Sequence, residues 1–339
     1  MKNDHVSKSG TGCASSSSRR MDRREFLKRA GCAGLALAVM QQPLRAQTDD
    51  ELPKRVLGRT NEKVTILGLG TAPVGEGPIG VEEGIKIFSE VIDRGVNYID
   101  TARIYGNAEE ILGHIIPKRR DKLFVVTKVS TDNAARAEQS LNESLSRLKT
   151  DHIDLVHIHS IGDKNLDRVL ASDGVLEFLL KQKETGKIRF VGISGHNRPA
   201  NFVRMIQTDQ IDVLMCVMNH ADRNIYDFEG KVLPEAIKRN VGCAAMKVYA
   251  GIKGGFPNHR SGFVGCATEP ERLPHAMAYA LDLEGVSVAV VGPYTVEQAI
   301  QNVQFARKYK PLSIEQRASL IEYGKKLAES LGPRYGSVI

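Results

Sequence analysis

The chain has 339 residues, 42% of them hydrophobic, which is long enough to bury a sizeable core in either two ordinary domains or one α/β barrel. The formal net charge is +7, but residues 1–47 hold nine Lys or Arg against three Asp or Glu, whereas residues 48–339 hold 38 against 37. The part of the chain after residue 47 is therefore almost neutral, which argues against a nucleic-acid-binding surface.

The first 46 residues have the pattern of a twin-arginine export signal. Arg23 and Arg24 stand just before an apolar run at residues 30–40, and Ala46 ends a plausible small-residue cleavage site. The run is too short to span a bilayer, so we expect no stable membrane anchor. We expect a signal peptide at residues 1–46 that is removed after the twin-arginine translocase exports the protein to the periplasm or the medium. The alternative is a disordered basic tail on a cytoplasmic protein.

The cysteines do not suggest a disulfide framework. Cys13 and Cys32 lie in the expected signal, which leaves Cys216, Cys243 and Cys266. An odd number without CxxC spacing argues against both paired disulfides and a zinc ribbon.

After a linker at residues 47–54, residues 55–331 alternate between short apolar runs and amphipathic helices. Residues 55–73 predict a β-hairpin followed by a first buried strand. Later strands are predicted at residues 97–99, 123–127, 153–158, 188–193, 213–218, 241–246 and 286–291. Helices are predicted at residues 84–92, 108–116, 135–148, 166–183, 199–206, 233–239, 274–281 and 295–309.

Near-continuously apolar strands between helices indicate an all-parallel sheet. Eight strand and helix units in fewer than 300 residues favour an α/β fold of the closed TIM (β/α)8 type over an open doubly wound sheet. Ser313 and Gln316 predict a capping box for an extra C-terminal helix, ahead of a tail at residues 332–339.

The connection at residues 249–272 breaks this rhythm. It is glycine-rich and has no clear periodicity, and a loop of this length in a compact domain is usually a lid or a binding loop. Because it follows the seventh strand, we expect it on the upper face of the barrel. A disordered insertion is the alternative.

Four ionisable side chains are expected at the mouth where the carboxyl ends of the strands converge. Asp100, Lys128 and His159 end the second, third and fourth strands, and Tyr105 lies in the loop after the second. Any one of them alone could be a cap or a solvated group.

Together these groups fit proton transfer to a carbonyl oxygen. A tyrosine can donate a proton at neutral pH if a neighbouring ammonium group, here that of Lys128, stabilises its phenolate and lowers its pKa. Asp100 can hold the lysine in place through an ion pair, and His159 can orient the carbonyl oxygen by hydrogen bonding.

The motifs around these residues resemble those of the aldo-keto reductases, in family order over residues 52–331. They are DTARIYGNAEEILG at 100–113, TKVS at 127–130, DHIDLVHIHS at 151–160, GKIRFVGIS at 186–194, AAMK at 244–247 and VEQAIQNV at 296–303. The resemblance implies a catalytic tetrad of Asp100, Tyr105, Lys128 and His159. It also implies hydride transfer from a nicotinamide to a small aldehyde or ketone, with the tyrosine as proton donor.

The resemblance places the cofactor across the barrel mouth without a Rossmann domain. In agreement, Gly68 and Gly70 are not part of a dinucleotide fingerprint, since Pro73 occupies the place of its third glycine. The cofactor contacts implied by the resemblance are Ser194, Asn219, Met246, Lys247, Gly292, Gln298 and Asn302.

Several of these positions depart from the common family pattern. Gly195 and Met215 replace an asparagine and a glutamine near the nicotinamide amide, and Met246 replaces a stacking aromatic ring, although it could equally be a core residue. Gly292 and Gln298 stand where many members carry cations for the 2′-phosphate of NADP. NADP(H) remains the expected cofactor, with NAD(H) possible. Gln298 could instead form a capping box with Thr295.

Two other functions are open at this point. His157 and His159 form an HxH pair of the kind that metal-dependent barrel hydrolases use, with His196 and His220 as the only nearby further ligands. A nicotinamide-binding sensor or interaction subunit with little turnover would also fit an exported protein, because no free nicotinamide pool is expected outside the inner membrane.

Overall fold

The computed structural model describes residues 51–255, 258, 260–262 and 264–339. The predicted signal peptide and the first half of the predicted linker, residues 47–50, therefore lie outside the described residues. The described chain forms a closed barrel of eight parallel strands with helices around it, which confirms the predicted fold class. The barrel strands are β3 (Leu67–Gly70), β4 (Tyr98–Asp100), β5 (Phe124–Val129), β6 (Ile153–Ile158), β7 (Ile188–Gly195), β8 (Val213–Val217), β9 (Gly242–Met246) and β10 (Val286–Val291).

The barrel closes because its strands are apolar enough to be buried on both faces. Every residue of β5 and β6 is buried, and β10 pairs with both β3 and β9 to complete the ring. The register brings Lys128 opposite His157 and Ser194 opposite Met215. The carboxyl ends of neighbouring strands thus lie at one end of the barrel.

The predicted hairpin is present at the other end. Its strands are β1 (Lys54–Val56) and β2 (Lys63–Thr65), which pair in antiparallel fashion. The guanidinium group of Arg55 donates hydrogen bonds to the carbonyl oxygens of Leu281 and Val286, at 2.6 and 2.8 Å. Because Val286 begins β10, these bonds tie the hairpin to the amino end of the barrel.

Most predicted helices are present with boundaries moved by a few residues. The helices of the described residues are α1 (Ala72–Glu76), α2 (Val81–Asp93), α3 (Ala108–Leu112), α4 (Ala134–Leu148), α5 (Leu166–Val169), α6 (Val175–Glu184), α7 (Pro199–Ile206), α8 (Phe228–Lys231), α9 (Leu233–Lys238), α10 (Leu273–Leu281), α11 (Val296–Arg307) and α12 (Ile314–Leu331), of which α1 and α8 were not predicted. The Ser313 and Gln316 capping box on α12 is confirmed by both of its hydrogen bonds. No described helix has both the length and the apolar character to cross a membrane.

The single helix predicted at residues 166–183 is wrong. The chain forms α5 and α6 instead, with a break that ends at Gly174. The backbone of Gly174 is extended and packs so closely that a Cβ would lie 2.4 Å from the carbonyl oxygen of Arg168. The next amide, that of Val175, donates to the carbonyl oxygen of Asp132 at 3.1 Å, so contact with a neighbouring loop overrides local helical periodicity.

The described part of the loop at residues 249–272 is folded, in contrast to a disordered insertion. Ala267 donates its amide hydrogen to the carbonyl oxygen of Gly251 at 2.9 Å, and Ile252 pairs with Cys266 in an isolated antiparallel bridge. These contacts join the two arms of the loop, which then ends in a 3₁₀ helix at Pro270–Arg272.

Candidate functional site

The mouth of the barrel holds a buried ion pair. Lys128 and Asp100 are 1% and 4% exposed, and the lysine Nζ lies 2.7 and 2.9 Å from the two carboxylate oxygens. Nζ also donates to the carbonyl oxygen of Thr101 at 2.7 Å. Burial lowers the pKa of Lys128 and raises the pKa of Asp100, and in each case the charge of the partner opposes the shift. The carboxylate therefore holds the ammonium group in one position, as the sequence predicts.

Tyr105 covers this pair. The Lys128 Nζ lies 4.7 Å from the centroid of the Tyr105 ring, and the His159 ring meets it edge-on with centroids 5.9 Å apart. All four residues of the predicted tetrad are thus brought together, three of them from strand ends and one from the loop that precedes α3.

The pKa of the Tyr105 phenol differs from the expectation. Burial raises it well above its usual value, and the charges of Asp100 and Glu76 raise it further. The predicted lowering by Lys128 is wrong for the resting protein, because burial dominates the shift and the Asp100 carboxylate, bound directly to the ammonium group, offsets its field. Tyr105 therefore stays protonated, which is the form that a proton donor needs.

His159 is a neutral hydrogen-bonding group. Its Nδ1 lies 3.0 Å from the Ser130 hydroxyl, which can donate to it and so leave the ring proton on Nε2. Burial, aided by the charges of Lys128, Lys164 and Lys247, lowers the pKa of His159 to about 3. A neutral imidazole beside Tyr105 can orient an oxygen without competing for the proton.

The lowered pKa values of two buried histidines, His159 and His220, predict that the free energy of unfolding falls in acid. The pKa is lowered from 6.5 to about 3 for His159 and to about 4 for His220, in both cases mainly by burial. The unfolded chain takes up these protons below about pH 6.5 and the folded chain does not, so the free energy of unfolding should decrease by a few kcal/mol as pH falls from 6.5 towards 3.

Urea unfolding at a series of pH values measures this effect. His159→Gln and His220→Gln should each flatten the pH dependence, whatever they do to stability at pH 8. An unchanged slope in both variants would contradict the assignment.

A groove extends from this site between the upper ends of β3, β9 and β10. Five of the predicted cofactor contacts line it, together with Asp100 and Tyr105. They are Met246, Lys247, Gly292, Gln298 and Asn302. The arms of the 249–272 loop cover its far side through Tyr249, Ile252 and Val264. The loop thus contributes to a binding surface.

Two predicted cofactor contacts behave differently from each other. Ser194 is 1% exposed and does not line the groove, but its Oγ has no hydrogen-bond partner in the described structure, so it is an unpaired buried hydroxyl close to the mouth. Asn219 is completely buried and does not line the groove. Its amide donates to Asp222 and to the carbonyl oxygen of Lys247, at 2.7 and 2.9 Å, so the structure does not place Asn219 where it could hold a cofactor.

Gly292 has a packing reason to be glycine. A Cβ at this position would lie 2.6 Å from two ring carbons of Pro73 and 2.9 Å from the carbonyl oxygen of Gly70. The close approach of the first and last barrel strands thus leaves no room for a cationic side chain there.

Gln298 makes one half of the capping box that was considered for it. The backbone amide of Gln298 donates to the Thr295 hydroxyl at 3.2 Å. Its side-chain oxygen, however, accepts from the backbone amide of Tyr294, and its side-chain nitrogen donates to the carbonyl oxygen of Val264. Gln298 therefore links the last barrel helix to the covering loop.

Sequence reasoning missed His196 and Tyr249 as groove residues. His196 directly follows β7, and the Tyr249 hydroxyl donates to Asn302 Oδ1 at 2.8 Å. The position of His196 at a strand end was a usable indication, but it was considered only as a metal ligand. Within the described residues, no group of three or more His, Cys, Asp or Glu could hold a metal ion. His157 is buried against Gly192 below the mouth.

Comparisons with known proteins show which family has this sequence pattern and this barrel. The sequence profile of the Aldo/keto reductase family matches residues 66–260. L-galactose dehydrogenase from Arabidopsis thaliana is 26% identical over 296 residues, which cover 77% of this chain and 90% of that protein. Methylglyoxal reductase DkgB from Yersinia pestis is 33% identical over 177 residues, 49% of this chain and 62% of that protein.

Among solved structures, a putative aldo-keto reductase from Pseudomonas aeruginosa superimposes with a TM-score of 0.62 at 28% identity, covering 77% of this chain and 98% of that one. Members of this family are oxidoreductases that generally bind nicotinamide cofactors and reduce carbonyl groups. The profile match over more than half of the sequence and the shared barrel establish that this chain belongs to the Aldo/keto reductase family.

Proposed function

We propose that this enzyme reduces a small aldehyde or ketone to an alcohol, with hydride from a nicotinamide and a proton from Tyr105. The observation that supports this most strongly is the arrangement at the mouth. A protonated phenol lies over a buried ammonium group, with its ring 4.7 Å from Lys128 Nζ and a neutral imidazole at its edge.

Each member of the tetrad has one role in this proposal. Tyr105 donates its proton to the carbonyl oxygen as hydride arrives at the carbon, and the resulting phenolate is stabilised by the Lys128 ammonium group. Asp100 fixes that ammonium group through its two short contacts. His159 donates from Nε2 to the same carbonyl oxygen and so holds the substrate in line for the transfer.

The residues around the groove fit a nicotinamide cofactor. When bound, the cofactor supplies the hydride. The unpartnered Ser194 hydroxyl would hold its amide group, and Met246, at 8% exposed, would cover the ring with a polarizable thioether. Lys247, Gln298 and Asn302 would contact the rest of it along the groove.

We propose NADP(H) as the cofactor, with NAD(H) accepted as well. Among the described residues that line the groove, Lys247 is the one with a cationic side chain, so few charges are available to distinguish a 2′-phosphate. The preference for NADPH over NADH should therefore be small.

Gln298→Arg is expected to increase the preference for NADPH by about tenfold, because a guanidinium group can form charge-assisted hydrogen bonds to a phosphate. Fluorescence titration with NADPH and NADH measures it. Gln298→Met is the matched control, since it also loses the contacts to Tyr294 and Val264 but adds no charge. An equal preference in both variants would contradict a phosphate subsite at this position.

The names of two relatives suggest which compounds to test. One relative acts on L-galactose and the other on methylglyoxal, and both compounds carry an oxygen on the carbon next to the reacting one. We propose a small oxygenated carbonyl compound as the substrate class.

The proposed function is tested with purified protein and a panel of aldehydes and ketones that includes methylglyoxal. Loss of NADPH absorbance is followed in the reductive direction, and L-galactose with NADP+ or NAD+ is used in the oxidative direction. We expect turnover of at least one compound and tight binding of one cofactor. No turnover of any compound in either direction would refute the proposal, whether or not the protein binds the cofactor.

We also propose that the twin-arginine translocase exports the protein, on the basis of Arg23 and Arg24 before an apolar run. Lys substitutions at both positions should keep the protein in the cytoplasm, as measured by fractionation of cells that contain this translocase and by the mass of the mature N-terminus. The neighbouring pair Arg19 and Arg20 is a matched control, and its Lys variant should still be exported. Export of the Arg23 and Arg24 variant, or of neither variant, would contradict the proposal.

A further inference from the structure

A second histidine lines the groove beside the reacting groups. His196 lies directly after the last residue of β7 and lines the same groove as Tyr105 and Asp100. It has no part in the tetrad, and its neighbour Asn197 is turned elsewhere, since the Asn197 amide donates to Asp163 at 2.8 Å. The role of His196 therefore needs its own explanation.

The ring of His196 is held by the C-terminal segment. It packs against the ring of Tyr335, with centroids 5.0 Å apart. The guanidinium group of Arg334 lies 4.3 Å from the Tyr335 ring centroid and binds both carboxylate oxygens of the buried Asp222, at 2.9 and 2.8 Å. A buried, two-point ion pair thus fixes the surface on which the imidazole rests.

The ring nitrogens of His196 are available to a ligand. In the part of the chain that the structure describes, no hydrogen bond or ion pair to this side chain is present. Burial lowers the pKa of His196 well below its usual value, and the charges of Lys247, His159, Lys128 and Arg334 lower it further. The imidazole is therefore neutral at physiological pH, with one nitrogen that donates and one that accepts.

The position of His196 along its strand indicates which part of a substrate it would reach. His159 follows Ile158, which pairs with Ile193 on β7, so His159 is level with Ser194. His196 comes two residues later, directly after the end of the strand, so it lies farther towards the open end of the mouth than His159. If His159 binds the carbonyl oxygen, the group that reaches His196 is a substituent on the neighbouring carbon.

We propose that His196 is a substrate-binding residue that hydrogen-bonds a hydroxyl group on the carbon adjacent to the reacting carbonyl. This inference rests on the proposed function and narrows its substrate class to α-hydroxy carbonyl compounds. A hydroxyl group both donates and accepts, which matches a neutral imidazole better than it matches a cation or a carboxylate.

Glycolaldehyde and acetaldehyde test this, because they differ by that one hydroxyl group. The ratio of their kcat/KM values is measured for the wild type, His196→Ala, His196→Gln and the control His152→Ala, a partly exposed histidine at the opposite end of the barrel. We expect His196→Ala to lower the ratio about tenfold with little change for acetaldehyde, and His196→Gln to retain part of it. His152→Ala should match the wild type.

Cofactor titration in the same variants separates substrate binding from cofactor binding. The Kd for NADPH, from its fluorescence, should stay within about twofold of the wild type. An unchanged ratio in His196→Ala, or a Kd weakened about tenfold, would overturn the inference while leaving the proposed function intact. If His196→Ala does not fold, the same criteria apply to His196→Gln. A wild type that binds NADPH but reduces neither aldehyde nor any of the carbonyl panel would instead refute the proposed function.

Discussion

Replacing Tyr105 by Phe is expected to lower kcat for carbonyl reduction by about 10²- to 10⁴-fold, the usual contribution of a positioned general acid. The substitution removes one oxygen and keeps the ring that packs over Lys128 and against His159. The fold and the Kd for NADPH should therefore be nearly unchanged. Single-turnover reduction under excess NADPH measures the loss directly.

Tyr323→Phe is a suitable control, because this phenol lies outside the groove and accepts a hydrogen bond from the amide of Glu269. It should retain wild-type turnover. If Tyr105→Phe retained full activity, the proton would have to come from another group, and the tetrad assignment would be wrong. If the Tyr105→Phe variant lost turnover but still replaced the wild type in cells, the hypothesis of a nicotinamide-binding sensor would be favoured over catalysis.

The pKa of Tyr105 also predicts the pH profile of the wild type. Because burial and the carboxylates of Asp100 and Glu76 raise this pKa well above its usual value, the phenol stays protonated through neutral and mildly alkaline pH. The value of kcat/KM should be flat from about pH 6 to 9 and should not fall until the phenol ionises. A decline centred near pH 7 would indicate a different acid.

The barrel could be predicted from sequence because its strands satisfy a simple rule. Residues such as those of β5 and β6 must be apolar on both faces, so the runs stand out between helices. The meeting of the four ionisable side chains at one mouth followed from the same rule, since the ends of parallel strands share one edge, whereas their roles as a tetrad came from the resemblance of their motifs to those of the aldo-keto reductases. The break between α5 and α6 could not be predicted, because it depends on a close approach of Gly174 to Arg168 that local periodicity does not encode.

The errors at the site have a common physical cause. The Tyr105 pKa is raised first by burial and then by the charges of Asp100 and Glu76, and the motifs around the tetrad give neither the burial nor the proximity of Glu76. Asn219 is not free to hold a cofactor, because its side-chain amide donates to Asp222 and to the carbonyl oxygen of Lys247. Sequence motifs identify which side chains reach the mouth, whereas charges and hydrogen bonds from other elements decide what those side chains can do.

Lys128→Met is expected to destabilise the protein by about 3–5 kcal/mol, because it leaves the Asp100 carboxylate buried without its cation. The lysine is 1% exposed and makes all three of its short contacts inside the barrel. The same change removes the charge that stabilises the Tyr105 phenolate, so kcat should also fall at least about 10²-fold. Urea unfolding and single-turnover kinetics measure the two losses separately.

The double variant Asp100→Asn with Lys128→Met distinguishes these effects. Both charges are then absent, so most of the lost stability should return, since a buried pair contributes little beyond what replacing it by neutral groups would give. Activity should not return, because no ammonium group is left beside the phenol. If the double variant regained turnover, Tyr105 would not depend on Lys128. If it stayed as unstable as the single variant, the instability would reflect lost packing around the lysine stem instead of an unpaired charge.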